Sequence, residues 1–70
     1  QKIDEKKFWT MLKTGFAHKR KVLAGNLKEL SPQIDWSEHL HEVNLSIKTR
    51  AEDLGITDWV KLYKNTHTLF

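Results

Sequence analysis

The stretch "GFAHKRKVLAGNLKEL", residues 15–30, carries the pattern that decides how this chain folds. Its apolar residues recur at helical spacing, with Leu23 and Leu27 four positions apart. From residue 13 to residue 28 there are five Lys or Arg and no acidic residue. A helix that only contributes to a core usually carries charges of both signs on its solvent-exposed face. This pattern therefore indicates a surface for a negatively charged partner.

The distribution of charge across the whole chain supports that interpretation. The net charge of +3 is modest for 70 residues. However, residues 1–30 contain eight Lys or Arg and three acidic residues, whereas residues 31–70 contain four and six. Because the cations are concentrated in the first half, we expect that half to bind a polyanion.

The length predicts a single small domain over residues 1–70. The absence of cysteine excludes disulfides and thiolate metal sites and fits a reducing compartment, so we expect a cytoplasmic location. No apolar run approaches the roughly 20 residues of a membrane span, and we expect no membrane partner. Because the chain begins with Gln1 rather than Met, we expect it to be a piece of a longer protein.

Helix is the only sequence period of any length. Phe8, Leu12 and Phe16 follow one another at four-residue spacing, which predicts a first helix over residues 4–17 with Asp4 as its N-cap. We expect a bend and then a second helix over residues 19–30, ended by the Ser-Pro pair that follows.

The rest of the chain predicts shorter helices. Ser37 is a candidate N-cap for a helix that ends at Asn44, a residue that tolerates the left-handed conformation. Ser46 is a candidate cap for one further turn, and a last helix is predicted over residues 56–65. The predicted fold is therefore all-α, a small bundle of four to five short helices.

The same periodicity assigns the interior of the bundle. We expect a core that includes Phe16, Leu23, Leu27, Trp59 and Tyr63. The last helix is expected to pack through a face formed by Ile56, Trp59, Val60 and Tyr63. Asn26 is expected to form a buried hydrogen bond between helices. Trp9 and the terminal Leu69 and Phe70 are candidates for surface that another part of the protein covers.

No residue pattern predicts catalysis or metal binding. His39 and His41 lie about 200° apart around a helix, and there is no cysteine to complete a site. Arg50 and Glu52 are interpreted as a structural ion pair or helix-end charges. Nucleophile elbows, P-loops and glycine-rich dinucleotide turns are missing from the sequence. We therefore predict no catalytic, cofactor-binding or metal-binding residue in this chain.

Two motifs nevertheless resemble a known family. Phe16, the basic triplet at residues 19–21, then Leu23, Asn26 and Leu27 match the pattern F-x-x-[RK]-R-K-x-L-x-x-N-L. A second motif, Arg-Ala-Glu followed by Leu and an aromatic, is met by residues 50–59. Together, in this order, they resemble the C-terminal domain of the rRNA adenine N6,N6-dimethyltransferases over nearly the whole chain.

The resemblance implies a parent enzyme with an N-terminal Rossmann-like domain that binds S-adenosylmethionine. In that family the enzyme transfers four methyl groups to two adjacent adenines of small-subunit rRNA during ribosome assembly. No residue of this chain corresponds to the catalytic loop or to the cofactor-binding turn. The implied partners are therefore small-subunit rRNA or a pre-ribosomal particle, and the missing catalytic domain.

The charge pattern and the resemblance point to one surface. Several cations on one surface can pair with the phosphates of a nucleic acid, because each Lys or Arg displaces condensed counterions. The predicted RNA-binding residues are Lys13, His18, Lys19, Arg20, Lys21 and Lys28. Three alternatives remain open at this point: a solvated surface cluster, a helix-turn-helix-like DNA-binding module, and a protein-interaction domain.

Overall fold

The chain folds as an all-α bundle, as predicted. The structure is a computed structural model that describes residues 3–70. Its α-helices are α1 (Glu5–Gly15), α2 (Leu23–Leu27), α3 (Trp36–Glu42) and α4 (Ile56–Thr66). A short 3-10 helix, Ala51–Asp53, precedes α4. No strand occurs within the described part of the chain.

The two long helices, α1 and α4, begin with local carboxylate contacts. The Asp4 side chain accepts a hydrogen bond from the Lys7 amide at 3.2 Å, which confirms Asp4 as the N-cap of α1. At the start of α4, Gly55 has no side chain to cap the helix. Asp58 compensates in part, because its carboxylate accepts the Gly55 N–H at 3.3 Å.

The helices enclose one core. Phe8 of α1 meets Tyr63 of α4 edge to face, with ring centroids 5.3 Å apart. The Trp36 indole N–H donates to the Ser31 carbonyl at 3.2 Å, so this large side chain is buried with its polar atom satisfied. The buried hydrophobic residues are Met11, Leu23, Leu27, Ile34, Trp36, Leu40, Ala51, Trp59, Leu62 and Tyr63.

The predicted helix over residues 19–30 is wrong in its first half. The chain is irregular from residue 16 to residue 22, and α2 begins only at Leu23. In a continuous helix the Leu23 N–H would donate to the carbonyl of residue 19. It donates instead to the Thr49 carbonyl at 2.8 Å, so a contact distant in sequence replaces the helical one. The basic triplet therefore lies on a turn.

Three further predictions need correction. The N-cap of α3 is Asp35 rather than Ser37, because the Asp35 carboxylate accepts the Glu38 N–H at 3.2 Å. Ile56 does not pack in the face of α4, since it lies in the first turn of that helix and is 68% exposed. Phe16 is not a core residue: α1 ends at Gly15, so the following side chain leaves the buried face and is 50% exposed.

Other local predictions are confirmed. Asn44 adopts the left-handed conformation with φ of 63°, at the turn that follows α3. Ser46 accepts a hydrogen bond from the Lys48 amide at 3.0 Å and so caps a turn. Trp9 and Leu69 are exposed, which leaves open the prediction that another part of the protein covers them. Phe70 instead packs on the aromatic core beside Trp36.

Gly15 allows a close approach between the end of α1 and Trp59 of α4. A Cβ atom at this position would lie 2.6 Å from the Trp59 ring and 3.1 Å from a methyl group of Leu23. Both neighbours are buried, so neither can move aside without repacking the core. The end of α1 is thus held against α4 because residue 15 carries no side chain.

We expect Gly15→Ala to destabilise the fold by about 1–3 kcal/mol, because the added methyl overpacks the contact with Trp59. The higher helix propensity of alanine, about 0.5–1 kcal/mol, offsets only part of this cost. Urea unfolding followed by circular dichroism measures the difference.

Gly25→Ala is the matched control. The nearest side-chain atoms around Gly25 lie 3.9 Å from the position of an added Cβ, so the methyl group has room. This variant should be as stable as the wild type or more stable by up to about 1 kcal/mol. Equal effects of the two substitutions would contradict the close-packing role of Gly15.

Candidate nucleic-acid interface

The predicted basic residues of the triplet lie on the turn between α1 and α2. We call residues 18–21 the basic turn; it consists of His18, Lys19, Arg20 and Lys21, and all four side chains are exposed. The turn is closed by a hydrogen bond from the Lys21 amide to the His18 carbonyl at 3.1 Å. The cations are therefore presented by a short loop on a helical scaffold, a common location for binding residues.

The buried side chain of Asn26 holds the basic turn in place through hydrogen bonds. Its side chain is 1% exposed, and its Nδ2 donates to the Gly15 carbonyl at 2.8 Å and to the His18 carbonyl at 3.1 Å. One amide thus joins the end of α1, the basic turn and α2, which confirms the buried hydrogen bond predicted for Asn26. Its Oδ1 has no hydrogen-bond partner within residues 3–70.

The second motif lies against the first. The Leu23 N–H donates to the carbonyl of Thr49, the residue immediately before Arg50. The backbone of Arg50 is held by a hydrogen bond, because its N–H donates to the Asp53 carboxylate at 3.0 Å. Residues 19–27 and 49–53 are therefore neighbours, although more than twenty residues separate the two motifs in sequence.

A small recess lies between the basic turn and the 3-10 helix. Phe16 and Asn26 line it together with cationic side chains from both motifs. Its volume is about 20 Å³, which is room for one or two water molecules. The lining residues are Gly15, Phe16, His18, Lys19, Lys21, Asn26, Arg50, Ala51 and Glu52.

One acidic residue reduces the positive charge of the basic turn. A Glu29 carboxylate oxygen lies 3.1 Å from His18 Nε2 and 3.7 Å from Lys21 Nζ. All three side chains are about half exposed, so these pairs are weak. Within residues 3–70, Lys19 and Arg20 form no ion pair. Within this range, two of the three cations of the triplet therefore have no carboxylate partner and can bind an anionic molecule.

The remaining predicted residues flank the turn without lining the recess. Lys13 is exposed in the last turn of α1, and Lys28 is exposed directly after α2. Arg20 does not line the recess either, although it belongs to the basic turn. The structure thus brings His18, Lys19 and Lys21 to one recess, and the other three predicted cations do not line it.

Two residues of this surface were missed from the sequence. For Arg50 and Glu52 the sequence predicts a structural ion pair or helix-end charges; the described residues contain no ion pair to the Arg50 guanidinium, and both residues lie at the start of the 3-10 helix. Phe16 was assigned to the core because its four-residue spacing from Leu12 matched the packed face of α1. The two motifs could have identified both residues. Phe16 belongs to the first motif, together with the basic triplet, and Arg50 belongs to the second motif, directly before Ala51.

Other kinds of site have little support in the described residues. Over residues 3–70, no group of three or more His, Cys, Asp or Glu side chains is arranged to hold a metal ion. His39 instead contacts Asn65 Oδ1 at 2.7 Å and Glu42 at 3.2 Å, which joins α3 to α4. Within the same range, no helix has the length and apolar character needed to cross a bilayer.

Asn26→Asp should destabilise the protein by at least about 2 kcal/mol, since the substitution keeps the shape but removes both donated hydrogen bonds. It also places a carboxylate against the carbonyls of Gly15 and His18. Thermal and urea unfolding measure the loss.

Asn65→Asp provides the control. Asn65 is exposed, and its Oδ1 is the atom that contacts His39, so an aspartate retains the contact. This variant should lie within about 0.5 kcal/mol of the wild type. If the two aspartates cost the same, the Asn26 amide does not hold the turn.

Comparison with curated proteins identifies relatives of this chain. A protein of Acaryochloris marina named "Ribosomal RNA small subunit methyltransferase A" is 45% identical over 58 residues, which is 83% of this chain and 22% of that protein. Proteins of the same name from a Nostoc species and from Chlamydia abortus are 37% and 39% identical over 84% and 81% of the chain.

These relatives are much longer than the chain. It spans about one fifth of their length, 22% and 20% for the Nostoc and Chlamydia proteins. Neither a family model nor a solved structure matches the chain. The resemblance predicted from the two motifs is nevertheless confirmed: the chain is a homologue of one segment of the ribosomal RNA small subunit methyltransferase A family.

Proposed function

We propose that this chain is the C-terminal, rRNA-docking domain of an S-adenosylmethionine-dependent adenine dimethyltransferase. Its role would be to bind small-subunit rRNA or a pre-ribosomal particle in the cytoplasm. The names of the relatives support the rRNA substrate and the methyl transfer. The chain spans only about a fifth of those proteins, so catalysis would belong to an N-terminal domain outside it.

The single observation that carries this proposal is the exposed basic turn. Lys19 and Arg20 protrude from it without a carboxylate partner in residues 3–70, and Lys21 is only weakly paired with Glu29. Such cations bind phosphates by releasing condensed counterions, and each contact adds to the salt dependence of binding. Lys13 and Lys28 would extend the same surface on either side.

Rigidity of the turn supports docking rather than loose attraction. The Asn26 amide and the Leu23–Thr49 hydrogen bond hold the backbone on both sides of the triplet. The backbone that carries the cations is therefore ordered before RNA arrives, which lowers the entropic cost of binding. Phosphate contacts of this kind fix the register and orientation of a protein on its nucleic acid.

S-adenosylmethionine does not fit the site described above. The recess of about 20 Å³ has room for one or two water molecules, and its rim is cationic. The recess is therefore too small for the cofactor, and we assign the cofactor to the rest of the protein. In this proposal the chain supplies binding and orientation of the substrate, and no chemical step.

A DNA-reading role has less support. Sequence-specific readers of the helix-turn-helix type direct polar side chains from a helix to base edges. The helix next to the basic turn, α2, has five residues, and Asn26, its one polar side chain, is buried. A protein-interaction role would use the exposed Trp9 and Leu69 instead of the basic turn.

Replacement of Lys19, Arg20 and Lys21 together by Ala should weaken binding to a small-subunit rRNA fragment. At low salt we expect a loss of at least about tenfold, and the slope of log affinity against log salt should fall by about 0.7–0.9 for each phosphate contact removed. Filter binding at several salt concentrations measures both quantities.

The matched control removes three exposed lysines elsewhere, Lys48, Lys61 and Lys64, and therefore changes the net charge by the same amount. Its affinity should fall much less than that of the triplet variant. Equal losses would mean that binding follows net charge alone. Unchanged binding of the triplet variant would overturn the proposal, and tighter binding to duplex DNA than to RNA would favour the DNA-reading role.

Glu29→Gln should strengthen RNA binding at low salt by about two- to fivefold, because it removes the carboxylate that pairs with His18 and Lys21. Glu38→Gln, an equal change of charge at an exposed position of α3, is the control and should have a smaller effect. A Glu29 variant that binds no better than the control would show that this carboxylate does not limit the basic turn.

A further inference from the structure

We propose that Phe16 is a stacking platform for one unpaired RNA base, with Lys19, Lys21 and Arg50 binding the phosphates beside it. This inference rests on the proposed function and adds the class of RNA that the surface takes. The basic turn alone would suit any nucleic-acid backbone. An aromatic ring among the cations favours a strand with an accessible base face.

The position of Phe16 leaves part of its ring open. Phe16 is the first residue after α1, and its ring packs on the buried Trp59 with centroids 5.7 Å apart and a tilt of 31°. The side chain is nevertheless 50% exposed. The ring is therefore supported by the core on one side and accessible to solvent elsewhere.

Cations from both motifs line the same recess as Phe16, together with one acidic residue, Glu52. Lys19 and Lys21 of the basic turn line the same recess as Phe16, and Arg50 approaches from the 3-10 helix side. Lys19 and Arg50 form no ion pair within residues 3–70. A positively charged groove that contains an exposed aromatic ring is the arrangement by which proteins bind single-stranded nucleic acid.

The size of the recess decides how a base could bind. A volume of about 20 Å³ admits one or two waters, whereas a planar base is several times larger. We therefore place the base on the rim of the recess, where Phe16 is half exposed. Bases in a continuous duplex have both faces stacked on their neighbours, so only an unpaired or bulged nucleotide offers a free face to the ring.

The experiment moves a single abasic site along an unpaired oligoribonucleotide taken from small-subunit rRNA and measures binding by the protein. In the wild type, one position should be sensitive, with a loss of at least about fivefold when its base is removed. The same oligoribonucleotide annealed to its complement should bind more weakly. This comparison needs no variant, so it does not depend on how well a substituted protein folds.

Variants then connect the sensitive position to the ring. Phe16→Leu keeps an apolar contact with Trp59 but removes the π face, so the abasic loss at that position should disappear, as expected for two partners in contact. Phe16→Tyr should retain it. Trp9→Leu, at another exposed aromatic of α1, is the matched control and should leave the abasic pattern unchanged. A thermal melt of each variant separates effects on stability.

Two results would overturn the inference. One is equal loss at every abasic position, with Phe16→Leu binding as tightly as the wild type. The other is that Phe16→Leu lowers only the melting temperature, which would mean that the ring closes the core or is covered by another protein surface. Either can occur while the triplet variant still loses affinity, in which case the docking function stands and only the stacking role is lost.

Discussion

The buried amide of Asn26 is the interaction on which the basic surface depends. Its two N–H groups are donated to the carbonyls of Gly15 and His18, so the last residue of α1 and the first residue of the basic turn are fixed to α2. A buried donor has few alternatives to its native acceptors, because unmade hydrogen bonds are costly inside a protein. The loop that carries the cations is consequently anchored to the helices at its first residue, His18.

The small size of the domain explains why most of the proposed binding residues lie on connecting segments. Helices α1 and α4 use their apolar faces for a core centred on Met11, Trp36 and Trp59, and a chain of this length has little packed interior to spare. Exposed cations and one half-exposed ring can be placed on connecting segments without weakening that core. One contact between the scaffold and this surface is the packing of Phe16 on Trp59.

Sequence periodicity predicted the all-α fold, the N-cap at Asp4 and the buried role of Asn26, because these follow from local spacing and residue chemistry. It extended a helix through the basic turn, because spacing cannot reveal that the Leu23 N–H is taken by a distant carbonyl. It placed Phe16 in the core because it continued α1 to residue 17, two residues beyond its end at Gly15. The cations were predicted from the charge pattern and the first motif, whereas the placement of Arg50 beside them follows from the tertiary fold.

The backbone contact between Leu23 and Thr49 has a consequence for how related chains can diverge. It joins the segment of the first motif to the segment of the second, and the residues between them, including α3, form one long connection. Insertions and deletions should therefore accumulate in that connection, above all around residues 31–35 and 43–48. The number of residues within each of the two motif segments should stay constant, because a shift of one position would move the guanidinium of Arg50 away from its lysine neighbours.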